Sequence, residues 1–67
     1  MTRYGLHMNN GSTFIAIHTM ALDLEGFRDW LMEYAGERAV PFKIITLFGG
    51  RTVLINVNNI SYITKEE

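Results

Sequence analysis

Apolar and polar positions alternate with period two over residues 3–8, RYGLHM. Tyr4, Leu6 and Met8 fall on one side and Arg3, Gly5 and His7 on the other, the pattern of a half-buried strand. NNG follows, and Asn-Gly favours a tight hairpin because both residues tolerate positive φ. The run STFIAIHT, 12–19, is then a β-branched and aromatic second strand. With Asn10-Gly11 as a two-residue turn, Met8 faces Thr13, Leu6 faces Ile15 and Tyr4 faces Ile17. That register gathers Arg3, His7, Phe14 and His18 on the opposite, mixed face, with the small Gly5 and Ala16 between them.

The period changes at 20–36, MALDLEGFRDWLMEYAG. Leu24, Phe27, Leu31 and Tyr34 recur at helical spacing with Trp30 beside them, and Glu25, Asp29 and Glu33 lie opposite. Asp23 is the expected N-cap, with Thr19 as an earlier alternative. Gly36 supplies a helix stop, and Pro41 bars a restart.

A second hairpin is expected over FKIITLF (42–48), Gly49-Gly50 and RTVLINV (51–57). A two-residue Gly-Gly turn puts Thr46, Val53, Ile44 and Ile55 on one face and Leu47, Ile45 and Leu54 on the other. Both faces are then apolar. A sheet with one solvated face alternates more cleanly than this, and one helix covers one face. NNISYI, 58–63, reads as a short turn and a final strand, and TKEE as a frayed tail. The expectation is an α+β domain over residues 1–67. Two hairpins, 3–19 and 42–64 with the last strand, flank a helix at 20–36 in the order β-β-α-β-β(-β).

Composition adds the assembly argument. A chain of 67 residues buries only about 60% of its unfolded surface, so its own core is marginal. It has no cysteine, so disulfides and thiolate zinc sites do not support it. Its 48% hydrophobic content exceeds what one small core uses. Self-association is therefore expected, with Ile45, Leu47, Leu54, Trp30 and Tyr62 as candidate interface residues and another copy of the chain as the partner.

Charge and motifs narrow the chemistry. The net charge is −1, and the six basic residues are scattered, which argues against a nucleic-acid-tracking face. No run approaches the roughly 20 apolar residues of a membrane span, and the start lacks a hydrophobic signal region, so a cytoplasmic protein is expected. His7 and His18 share a face in the expected register but are offset by about 13 Å, too far to hold one metal. No metal or cofactor is expected. Ser12 and Ser61 have no activating context, and Glu25, Asp29 and Glu33 read as a solvated helix face, so an enzyme is not expected. The Gly49-Gly50 pair sits between strands, unlike a phosphate loop, which opens onto a helix.

The most suggestive ligand set is Arg3, His7, Phe14 and His18 with Arg51. A hollow over Gly5 and Ala16, beside an arginine and an aromatic ring, suits a small anionic nucleotide. Three readings follow. The leading one is a non-enzymatic, homo-oligomeric interaction module. The alternatives are a phage-style sequestering protein holding a nucleotide at subunit junctions and a small nucleic-acid-binding regulator.

The stretch ITLFGGRTVLINVNNISYI, 45–63, resembles small flagellar FlbD-type proteins. Its last strands are similar in cadence to the end strands of LytTR-type DNA-binding domains. Gly50, Ile55, Asn56, Ile60 and Ile63 carry the likeness. FlbD-type chains lack a counterpart of the first hairpin and helix, and LytTR domains are longer and more basic. Neither function nor site residues are carried over.

Overall fold

A computed structural model of the chain describes residues 1–33 and 41–66. Strands β1 (Thr2–Met8) and β2 (Thr13–His18) form the first antiparallel hairpin. Their loop has three residues, not two. The Met8 N–H donates to the Ser12 carbonyl at 2.8 Å, and the Gly11 N–H donates to the Met8 carbonyl at 3.0 Å. Gly11 alone takes the left-handed conformation, at φ +92°, while a two-residue Asn-Gly turn would need it at Asn10 as well.

The extra loop residue corrects the expected register by one. His7 pairs with Thr13, Leu6 with Phe14, Tyr4 with Ala16 and Thr2 with His18. A one-residue slip in a period of two exchanges the faces. Phe14, Ala16 and His18 therefore share the core side with Tyr4 and Leu6, and Ile15 and Ile17 share the outer side with Arg3, Gly5 and His7.

The second hairpin, β3 (Phe42–Thr46) and β4 (Thr52–Asn56), repeats the device. Leu47 and Arg51 close a Phe48-Gly49-Gly50 loop through an N–H···O bond of 2.7 Å, and Gly49 and Gly50 sit at φ +106° and +96°. Ile45 pairs with Val53 and Ile44 with Leu54, again one residue from expectation. Ile45, Leu47 and Ile55 consequently lie together in the core, while Phe42, Ile44 and Leu54 share the outer face.

Helix α1 spans Leu24–Leu31 and is shorter than the expected 20–36. Asp23, not Thr19, caps it, its Oδ1 accepting the Gly26 N–H at 2.7 Å. Phe27 and Leu31 are buried, whereas Leu24, expected on the core stripe, is 41% exposed. Tyr34 and Gly36 lie outside the described residues. After β4 a single 3-10 turn, Val57–Asn59, leads into β5 (Ile60–Lys65). Lys65, expected in a frayed tail, belongs to that strand because it returns to pair antiparallel with β1. A bulge between His7 and Met8 absorbs Ser61.

The described strands form a three-stranded sheet in the order β2-β1-β5 and the β3-β4 ribbon. A bridge between Ala16 and Leu47, with the Phe48 N–H donating to the Ile15 carbonyl at 2.8 Å, joins them. The core lies between these layers and α1, built from Tyr4, Leu6, Ala16, Phe27, Leu31, Ile45, Leu47, Ile55 and Val57. Tyr4 and Phe27 stack at its centre, and the Tyr4 hydroxyl donates to the Leu22 carbonyl just before the helix. A buried phenol is thus satisfied where it would otherwise cost stability.

Candidate functional site

The corrected registers divide the expected ligand set. Arg3 and His7 stand on the outer face of β2-β1-β5, and Phe14 and His18 are half-buried on its core side. His18 meets Trp30 edge-on at 4.7 Å and its Nδ1 accepts the Met20 N–H, so its ring packs beneath the helix. Arg51 closes the β3–β4 turn through its backbone carbonyl. The two histidines lie on opposite faces, and among the described residues no three His, Asp or Glu side chains gather where a metal could bind.

The hollow expected over Gly5 and Ala16 is filled. Ala16 is in the core, and a Cβ at Gly5 would lie 2.6 Å from Thr64 Oγ1, 2.9 Å from Glu66 Oε2 and 3.0 Å from His7 Nε2. In place of a cavity the outer face carries a chain of hydrogen bonds. The Thr64 hydroxyl donates to Glu66 at 2.6 Å, so its contact with His7 Nε2 at 3.2 Å uses the oxygen as acceptor. His7 Nδ1 meets the Thr13 hydroxyl at 3.3 Å, and the His7 ring stacks on Tyr62 at 4.2 Å. β5 supplies Tyr62 and Thr64, residues whose meeting with His7 depends on a pairing across most of the chain, and Glu66 follows directly after it. The alternation Tyr62-Ile63-Thr64 marks a strand, but nothing local in the sequence names β1 as its partner.

Three of the described cations have local partners. The Arg3 guanidinium lies 4.8 Å over the Phe48 ring, and Lys43 lies 4.5 Å over Trp30 and 3.9 Å from Glu33. Arg28 pairs with Asp29 at 3.0 Å. Glu25, Asp29 and Glu33 are exposed. No helix among the described residues is long and apolar enough to cross a membrane.

Two apolar surfaces remain. On the outer face of β3–β4, Ile44 and Leu54 are directly opposite each other at 67% and 64% exposure, with Phe42 at 49%. An open groove of about 360 Å³ runs between α1 and β5, with Leu24, Leu31, Met32, Val57, Ile60 and Ile63 in its walls. Of the expected interface residues, Leu54 and Tyr62 are exposed, Trp30 is half-buried over the core edge, and Ile45 and Leu47 are core residues with no surface to offer. A second hollow of about 310 Å³ beside Phe14 is walled by Asn9, Asn10, Ser12, Asn59 and Met8, with no cation to favour an anion.

Compared with family models, with curated proteins and with solved structures, the chain matches none.

Proposed function

We propose that this chain is a non-enzymatic interaction module that works by assembling with copies of itself. The observation that carries the reading is the Ile44–Leu54 pair with Phe42 beside it, a contiguous apolar face on a ribbon whose other face already fills the core. Scattered exposed hydrophobes are ordinary, but three on one short ribbon form a patch of the kind that marks an interaction surface. The test replaces Ile44 and Leu54 together by serine. Burying a Leu or Ile is worth about 1.5–3 kcal/mol, so the pair should raise the assembly dissociation constant by roughly a hundredfold or more. An unchanged constant in a folded double variant contradicts the reading.

A second reading, capture of a small anionic nucleotide between subunits, draws on one arrangement. Arg3 stacks on Phe48 in the turn that Arg51 closes, so two cations and an aromatic ring belong to one end of the second hairpin. Mass spectrometry of ligand released from purified protein, with a thermal-shift panel of nucleotides, tests it. No released nucleotide and no shift sinks it.

A further inference from the structure

The β3–β4 and β1–β5 ladders fix which backbone groups are left unpaired. In β3–β4, Leu47 bonds Arg51 and the Val57 N–H donates to the Pro41 carbonyl at 2.7 Å, so hydrogen-bonded pairs fall at 41/57, 43/55, 45/53 and 47/51. The amides and carbonyls of Thr52 and Leu54 therefore point away from β3, to the open side of β4. In β1–β5, the Glu66 N–H donates to the Arg3 carbonyl at 2.8 Å, which aims the amides and carbonyls of Ile63 and Lys65 away from β1. Among the described residues, no strand pairs with either open side. The two edges carry few guards, a bulge at Ser61 and Lys65 near the ends of β5. β4 has no charge or proline, and β5 has none before Lys65.

We infer that β4 of one copy pairs antiparallel with β5 of the next, so that copies join head to tail through a continuous sheet. This deepens the self-assembly reading above and rests on it. The partner is argued from how the two edges fit. Outward amides must meet outward amides, and of the registers this allows we take the one with Leu54 across from Ile63 and Thr52 across from Lys65. In that register Arg51 falls opposite Glu66, a pair of opposite charges. It also places Leu54 on the same side of the joined sheet as Ile63, which lines the apolar groove beside α1. The exposed patch of one copy thus adjoins the groove of its neighbour. Pairing β4 with its own copy about Leu54 would set Arg51 against Val57 and leave every β5 edge open. A head-to-tail contact leaves no β4 or β5 edge free once a ring closes.

Leu54→Pro tests the backbone, because its lost N–H is not part of the β3–β4 ladder. Native mass spectrometry should show discrete multiples of the 7.7 kDa chain for the parent protein and loss of assembly for the variant, with circular dichroism confirming the fold. Arg51→Glu gives an independent test should the proline variant not fold. It should weaken assembly roughly tenfold, and adding Glu66→Arg should restore it. In the assembled protein the Leu54 and Ile63 amides should exchange slowly with solvent. An assembled parent whose Leu54 and Ile63 amides exchange freely, or whose assembly ignores both the Leu54→Pro and Arg51→Glu changes, overturns the edge pairing and leaves the self-assembly reading standing. A monomeric parent overturns both.

Discussion

Tyr4 and Phe27 stack with ring centroids 3.8 Å apart and planes 3° from parallel, both fully buried. This contact ties the central strand to the helix, and Trp30 extends it, stacking on Phe27 at 5.7 Å. Phe→Ala in a core costs about 3–5 kcal/mol. At roughly 0.05–0.15 kcal/mol per residue, that is comparable to the whole stability of so small a domain. Phe27→Ala should therefore abolish cooperative unfolding in urea, and Phe27→Leu should retain it at a lower midpoint. A near-native midpoint for Phe27→Ala would mean that the helix is not integral to the core.

Gly5 is held to glycine by crowding from a neighbouring strand. Its Cβ would collide with Thr64 Oγ1, which sits on β5 and has hydrogen bonds of its own. Gly5→Ala should cost about 1–3 kcal/mol, as overpacked sites do. Adding Thr64→Ala removes the obstructing oxygen, so the double variant should lose less than the sum of the two singles. Strict additivity in denaturant titrations would contradict the β1–β5 register.

The element order was legible in the sequence, because alternation, helical spacing, the Asp23 cap and the turn glycines are local signals. The registers were not. Asn-Gly and Gly-Gly fit two-residue turns as well as three-residue loops, and choosing wrongly by one residue moves Phe14, His18, Ile45 and Leu47 to the opposite faces. The expected grouping of Arg3, His7, Phe14 and His18 on one face depends on the two-residue turn. The His7–Tyr62–Thr64 arrangement depends on β5 returning to β1, which no local signal specifies. What survives the correction is the apolar excess of the second hairpin. One face of it fills the core and the other, with Ile44 and Leu54, is left outside.

Asp23 supplies an independent check on the helix. Its side chain accepts the Gly26 N–H, one of the donors a helix start leaves unpaired. Asp23→Ala should lower stability by about 1 kcal/mol, and Asp23→Ser or Asp23→Asn should recover most of it. Equal losses for all three would show that the cap is not what starts the helix.

Molar mass by light scattering on a sizing column, at micromolar protein, tests the central claim most directly. Self-assembly predicts a mass that is a whole multiple of 7.7 kDa and falls on dilution or on replacing Ile44 and Leu54 by serine. A steady 7.7 kDa across that range would contradict it.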